Sequence, residues 1–538
     1  MKRTEEDNKL NNKKEIVLDQ SFDVSNASIK KVFRGTVLAL IGSIIVIPLS
    51  FIAKVILARF FSPSEFGTFS LGFSIVNILI IFALLGLSTG SARQIAYYRE
   101  KNFFLHIQET ITSSIRICMI SSFIITLIVF LTADFLSINI FHDSALSLPL
   151  KIFAISLPFM AIINLLISIF RGFDRVEELI YFNNILRNIL FALLLLPVVF
   201  FAFSFSYTII AFLLSYVLTL IVLIIYTKKR LPYLLISRKG IHPTAPVYKE
   251  ILLFSIPLLS IAVFQSILAW TDTLQIGMLR SLAEVGLYNA AHPIADFINI
   301  SMGALLIIYV PITTGLYAKG AFSEIRRHYY ILTKWVNLTS LPLFLTIFLF
   351  PQFYLNFLFG SDYVLASKAL QVLAVGWIIS NFLGPNGVTL VAIGQTRFLM
   401  WASMAAAVMN IILNALLIPP MGIVGAAIAT AISINFHCII RQLKVRSLLK
   451  INLISRNYLK PTIISVSLIL IIWYLIGSYL IVTYWMIPLY FIFIVIVIFL
   501  CILFTKSLEK DDIMILLEIE KKIGINLSPI KKILNRFL

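Results

Sequence analysis

Three charged side chains stand inside long apolar stretches of this chain: Lys54, Asp272 and Asp296. Hydrocarbon solvates a charge poorly, so each must be paired, hydrated or put to use. Lys54 and Asp272 lie near the same end of their stretches and have opposite signs. Facing one another, they could form a gate that closes one mouth of a pathway. Asp296 lies four residues after His292, one helical turn away, and such a pair can hold a proton or help bind a sodium ion. A second set is cationic. Arg93, Arg116 and Arg187 occupy the inner portions of three other apolar stretches. A guanidinium grips a phosphate through two parallel hydrogen bonds, so a cavity lined by these residues would attract an anionic head group. Each has a plainer alternative. Lys54 can snorkel to the head groups, Arg93 and Arg187 can anchor span ends, and Asp296 can be neutralised by hydrogen bonds. Arg116 lies deeper than the other two and is the stronger phosphate candidate. Asn77, Asn164, Asn299, Asn381, Asn410 and Asn414 add polar surface, mostly for joining helices.

The elements that must position these residues are membrane helices. The chain has 538 residues, 60% hydrophobic and 13% charged, a composition far from that of a soluble domain. About fourteen apolar stretches run between Leu38 and Phe504, and each approaches the roughly 20 residues that cross a bilayer core. They lie near 36–58, 68–90, 111–132, 147–170, 182–202, 206–226, 250–271, 285–309, 332–350, 366–392, 399–418, 422–440, 461–480 and 484–505. Alternating strand patterns are absent, and a lipid-exposed backbone must pair within its own segment, so the expected fold is an all-α polytopic bundle. Pro48, Pro158, Pro197, Pro257 and Pro311 mark expected kinks. No cleavable leader is expected, because residues 1–34 are polar and the first apolar stretch is long enough to span.

The net charge of +19 could suggest nucleic acid, but its distribution excludes that reading. Lys and Arg crowd into residues 1–34, 227–249, 441–460 and the tail from Lys506, while the gaps at 133–146 and 351–365 hold none. The positive-inside rule therefore puts both termini and the 227–249 linker in the cytoplasm, and the clusters meet anionic lipid there. Arg59 and Arg280 are the exceptions. The sequons at Asn26, Asn337 and Asn526 then fall inside the cell or within a span and should go unused. Residues 511–538 have the spacing of an amphipathic helix lying on the inner surface. The first 30 residues read as disordered. Cys118, Cys438 and Cys501 all lie in apolar stretches and form neither a zinc nor a disulfide framework. No metal-ligand cluster, phosphate loop or nucleophile motif is present, and no cofactor is expected.

The chain repeats itself. At an offset of 219, residues 57–77 align with 276–296: Glu65 meets Glu284, Gly67 meets Gly286, and Phe69 meets Tyr288. Asp272 then matches Ala53, Lys54 matches Thr273, and Asp296 matches Asn77. At an offset of 222, Gly172–Arg175 meets Gly394–Arg397 and Asn188 meets Asn410. The offset spans an even number of helices, so the halves are parallel repeats about an axis along the membrane normal, with a site at their interface. The expected organisation is a cytoplasmic tail (1–34), a six-helix lobe (35–226), a basic linker (227–249), a second six-helix lobe (250–440), a basic loop with two appended helices (441–505) and an amphipathic tail (506–538).

Several of these stretches carry a family resemblance. The run ILARFFSPSEFGTFSLGFSIVNILIIFALLGLSTGSARQIA resembles the first two helices of polysaccharide flippases of the multidrug/oligosaccharidyl-lipid/polysaccharide exporter superfamily. WTDTLQIGMLRSLAEVGLYNAAHPIA looks like the start of their second half. FGSDYVLASKALQVLAVGW, VAIGQTRF and NALLIPPMGIVGAAIATAIS are similar to later helices, so the resemblance covers roughly residues 33–505. It implies a two-lobed bundle in the cell membrane that flips an isoprenoid-diphosphate-linked sugar to the outer leaflet by alternating access. Glycan-assembly enzymes would be its partners, and a proton or sodium ion a possible driver. The resemblance carries no fixed motif from which a residue role can be inherited.

A drug–cation antiporter of the same superfamily is the alternative, and the appended pair 461–505 favours the flippase. A membrane glycan polymerase or glycosyltransferase is disfavoured. Its chemistry needs charged groups on a sizeable outer loop, and the longest outer gaps carry only Asp134, Asp143 and Asp362.

Overall fold

The computed structural model describes residues 49–175, 177–201, 203–230, 245–452, 456–477, 486–505 and 507. The N-terminal tail, the start of the first span, residues 231–244 of the linker, the amphipathic 511–538 segment and the sequons at Asn26 and Asn526 lie outside them. Among the described residues there are helices and no strand. The first half comprises α1 (49–60), α2 (Pro63–Leu84), α3 (Leu87–Glu100), α4 (Phe104–Phe135), α5 (Ser147–Gly172), α6 (Arg187–Leu194), α7 (Leu196–Phe201) and α8 (Phe205–Arg230). The second comprises α9 (Ala245–Leu279), α10 (Leu282–Asp296), α11 (Ile300–Ala318), α12 (Phe322–Leu349), α13 (Pro351–Leu358), α14 (Ser367–Phe382), α15 (Asn386–Ala392), α16 (Thr396–Met421) and α17 (Ile423–Leu449). Two helices follow, α18 (Arg456–Gly477) and α19 (Ile487–Phe504).

Ten helical segments among the described residues are long and apolar enough to cross a bilayer. Four expected spans fall outside that set: α1, described only from residue 49; α9; α18, whose apolar part is Leu459–Leu475; and the stretch 285–309. That last stretch is divided by a 3-10 turn at Phe297–Asn299 between α10 and α11. The expected span 366–392 is also divided. Its chain turns at Leu383–Pro385, where Gly384 has φ +69°, a left-handed conformation that glycine adopts without strain.

The breaks follow some prolines and not others: the chain is interrupted at Leu195, two residues before Pro197, whereas Pro257 and Pro311 lie inside α9 and α11. Pro158 sits inside α5 without interrupting it. The sharp turn between α2 and α3 instead uses Leu85 and Gly86, both with positive φ. The expected fifth span opens with a π-helical segment, Leu179–Leu186, that leads directly into Arg187. Such segments recur at functional sites.

The repeat is visible in local chemistry. Ser62 caps α2 by accepting from the Glu65 N–H at 3.3 Å, and Ser281 caps α10 by accepting from the Glu284 N–H at 3.3 Å. Both satisfy N–H groups that a helix start leaves open. At α2 the Glu65 carboxylate accepts in return from the Ser62 N–H at 3.0 Å, which completes a capping box. One turn into each helix, Gly67 and Gly286 bring α2 and α10 into backbone contact. This contact joins the two halves at the end that the charge pattern assigns to the outside.

The halves differ inside. Phe69 packs among Phe153, Phe191 and Phe212, with ring centroids 5.5, 6.0 and 5.7 Å away. Its repeat counterpart Tyr288 has a hydroxyl, and around it the second half is polar.

Candidate functional site

Asp272 on α9 is the centre of that polar cluster, and it is only 4% exposed. Its Oδ1 accepts from Asn410 Nδ2 at 3.1 Å and from Asn414 Nδ2 at 2.6 Å. Its Oδ2 accepts from the Tyr288 hydroxyl at 2.7 Å and from the Thr430 hydroxyl. Four neutral donors from α10, α16 and α17 therefore surround one carboxylate. Asn410 and Asn414 sit one turn apart on α16, so both amides reach the same oxygen. The Oδ1 of Asn414 is buried without a hydrogen-bond partner. Carboxylate, amide and hydroxyl oxygens are the ligands that hard cations prefer. Among the described residues, no group of three or more His, Cys, Asp and Glu comes together, so the cluster offers one carboxylate and neutral oxygens only.

The expected Lys54–Asp272 pair is not formed. Asp272 is engaged within its own half, by Tyr288, Asn410 and Asn414. His292 Nδ1 stands 3.1 Å from Asp296 Oδ2, as the i,i+4 spacing predicts. The Asp296 Oδ1 is buried without a hydrogen-bond partner. Lys54 comes from α1 in the first half, whereas His292 and Asp296 come from α10 in the second. The repeat aligns Lys54 with Thr273, but Lys54 faces a cavity that it shares with Asn289 of α10. Thr273 is bonded to Asn289, which donates to it at 3.1 Å.

Lys54 also lines a cavity of about 80 Å³ in the first half, with Arg187, Asn188, Phe69 and Phe212, closed on one side by Trp270 and Asn289 of the second half. Arg187 is held in place there. Its guanidinium donates to the Tyr216 hydroxyl at 3.1 Å and to Asn188 Oδ1, and lies 5.3 Å from the Tyr216 ring centroid. Arg93 and Arg116 do not join it at this cavity. Both are exposed. Arg116 shares a stripe of α4 with exposed Met119, Ile120, Phe123 and Leu127, on the side opposite buried Ile107, Ile111, Cys118 and Ser122. That stripe faces away from the bundle. Sequence depth therefore ranked the arginines differently from the packing.

A second cavity, of about 790 Å³, is almost wholly apolar. Phe51 of α1, Ile294 and Phe297 beside α10, Phe357 of α13 and Phe491 of α19 line it. Phe51 and Phe297 touch edge to face at 5.1 Å. Of the expected helix-joining asparagines, Asn381 bonds the Ile298 carbonyl at 3.2 Å across helices. Asn77 and Asn164 instead donate to the carbonyls of Phe73 and Met160 in their own helices.

The two arginines that broke the charge rule were noted in the sequence without a role, and each reaches a helix carboxyl end. Arg280 Nε donates to the Ile418 carbonyl at 3.2 Å near the end of α16. Arg59 Nε donates to the Leu358 carbonyl at 3.0 Å at the end of α13. Tyr288 and Thr430, the hydroxyl donors to Asp272, had no distinct signal. The Asn410/Asn414 spacing was the one cue in the sequence.

Comparison with known proteins places this arrangement. A sequence model described as "Polysaccharide biosynthesis protein" matches residues 32–317, and one described as MatE matches residues 260–416. A probable low-salt glycan biosynthesis flippase, Agl15 of Haloferax volcanii, is 27% identical over 34% of this chain, which spans 39% of that protein's length. The teichuronic acid biosynthesis protein TuaB of Bacillus subtilis is 26% identical over 41% of the chain and 45% of its own length. In fold, the chain is similar to the lipid II flippase MurJ in an inward closed conformation. There the TM-score is 0.69 at 15% identity, covering 86% of this chain and 97% of that one. It is also similar to an inward-facing multidrug resistance MATE transporter, with TM-score 0.66 at 18% identity over 75% of this chain and 95% of that one. Agl15 and MurJ are named as flippases and the MATE protein as a transporter, none of them as an enzyme, in agreement with the reading from sequence. With the first model matching more than half of its length, the chain belongs to the polysaccharide biosynthesis protein family, as a multi-pass membrane transporter of the multidrug/oligosaccharidyl-lipid/polysaccharide exporter superfamily.

Proposed function

We propose that the protein flips an isoprenoid-diphosphate-linked oligosaccharide from the cytoplasmic to the outer leaflet of the cell membrane by alternating access, with both termini in the cytoplasm. One observation carries this reading. Phe51 and Lys54 lie one turn apart on α1; Phe51 lines the large apolar cavity, and Lys54 lines a small one where it and Arg187 are the two cations among mainly aromatic and aliphatic walls. A ligand with an anionic head and a long apolar tail needs that juxtaposition. Lys54 and Arg187 would meet the diphosphate, and the 790 Å³ cavity would take part of the isoprenoid chain. The 80 Å³ cavity is small, so the lobes have to part before a glycan enters.

The coupling ion in this reading is a monovalent cation or proton. The Asp272 cluster, with its unpartnered Asn414 oxygen, and the His292–Asp296 pair supply the two places for it. Arg93 and Arg116 serve at span ends and lipid rather than at the head group. Glycan-assembly enzymes would supply the substrate, and the sugar is consumed on the outer side.

The test is a flipping assay in liposomes with a short isoprenoid-diphosphate sugar. Wild type should move the lipid, and the double variant Lys54→Ala/Arg187→Ala should not. The MatE match over residues 260–416 and the buried Asp272 favour one second reading, a drug–cation antiporter. Exchange of an organic cation for protons, with the lipid left in place, would decide for it.

A further inference from the structure

Arg59 crosses between the halves. It sits at the end of α1, yet its guanidinium fork lies on the last carbonyls of α13, in the second half. Nε donates to Leu358 O at 3.0 Å, and Nη2 donates to Phe357 O and, at 3.5 Å, to Asn356 O. These carbonyls lie in the last turn of α13, where the helix dipole concentrates negative charge; Asn356 O also accepts from the Gly360 N–H at 3.0 Å. Its near-counterpart in the repeat, Arg280, behaves differently. It reaches Ile418 O at 3.2 Å and Glu284 at 3.9 Å, all within the second half. At the 222 offset, Ile418 corresponds to Leu196, in the same half as Arg59. A symmetric molecule would have Arg59 bond near Leu196, but it reaches across to α13.

We propose that Arg59 is an interlobe latch that holds the outer mouth closed. It lies at the same end of the bundle as the Gly67–Gly286 backbone contact, and its three carbonyl acceptors belong to the opposite lobe, so the contact is made only when the lobes are together there. Parting the lobes must withdraw the guanidinium from the α13 end. Arg280 moves with its own lobe and keeps its partners in either state. The contact is exposed, so salt screens it, which suits a latch that has to release on each cycle. A lysine at this position would bring the charge without the planar fork and would hold fewer carbonyls.

This inference rests on the alternating-access reading, and the test separates the two. Spin labels at Phe60→Cys and Met421→Cys, one in each lobe, would be placed in a background with Cys118, Cys438 and Cys501 replaced by serine. Distances would be measured by pulsed electron resonance in lipid nanodiscs. Wild type should show a dominant short distance and a minor long one. Arg59→Ala should raise the long population roughly two- to five-fold, the span expected for an exposed charge at a helix end. Arg59→Lys should fall between the two, Arg280→Ala should match wild type, and the Arg59→Ala effect should shrink in 1 M salt. An Arg59→Ala distribution equal to wild type, or a response equal to that of Arg280→Ala, overturns the latch. A single distance in wild type and every variant overturns both the latch and alternating access. If Arg59→Ala fails to fold, Arg59→Lys and the salt series decide by the same criteria.

Discussion

Gly67 and Gly286, 219 positions apart in the sequence, press backbone against backbone where α2 crosses α10. A Cβ on Gly67 would lie 1.7 Å from the Leu282 carbonyl oxygen, and one on Gly286 would lie 2.0 Å from that of Pro63. Pro63 and Leu282 are themselves related by the same offset. The contact is therefore reciprocal, as an axis of pseudo-symmetry between the two helices requires.

Adding a methyl group at this crossing should force the halves apart at the outer end. Gly67→Ala or Gly286→Ala should destabilise the closed packing by about 1–3 kcal/mol, the usual cost of overpacking. Labelling rates of single cysteines at the outer end of α1 would rise. Unchanged labelling with unchanged melting would show that the backbones are not in contact there.

Removing the carboxylate of Asp272 should expose four donors to an empty acceptor. Asp272→Ala leaves the amides of Asn410 and Asn414 and the hydroxyls of Tyr288 and Thr430 without it. Each buried donor left unsatisfied costs about 1–3 kcal/mol, so the variant should lose several degrees of melting temperature in detergent. Asp272→Asn preserves shape but not charge. It should keep more of the stability while abolishing any dependence of transport on the coupling cation, read by varying sodium and pH gradients separately in liposomes.

The cations should divide by place rather than by depth in the sequence. Lys54→Ala and Arg187→Ala should each lower the initial flipping rate by about tenfold or more, equivalent to about 1.4 kcal/mol of lost head-group binding. Arg116→Ala should stay within about twofold of wild type because its stripe faces lipid. A severe loss in Arg116→Ala with normal Arg187→Ala would reverse this assignment.

The repeated N-caps offer an internal comparison. Ser62→Ala and Ser281→Ala should each cost about 1 kcal/mol of stability. The loss should be larger at Ser62, whose hydroxyl also donates to the Glu65 carboxylate at 2.9 Å. Thermal unfolding of the two variants side by side would read the difference.

Much of the architecture was legible in the residues. Apolar length implied helices in a membrane, and the match of Glu65 and Gly67 with Glu284 and Gly286 at one offset implied two equivalent halves. Breaks inside spans were harder to place. Pro158 leaves α5 continuous, whereas Leu85–Gly86 and Gly384 make breaks through left-handed backbone that composition alone did not mark.

By itself, the sequence determined that the chain is a doubled helical membrane protein and which residues carry charge within it. Only the tertiary structure decided which charges meet. It put Lys54 and Arg187 on one cavity, sealed Asp272 among Asn410, Asn414, Tyr288 and Thr430, turned Arg116 away from the bundle, and sent Arg59 to the opposite lobe. The reason is physical. A soluble helix announces its inward face by its polar one, but a membrane helix such as α4 is apolar on nearly every side, and its rotation is set by packing against neighbours that periodicity does not name.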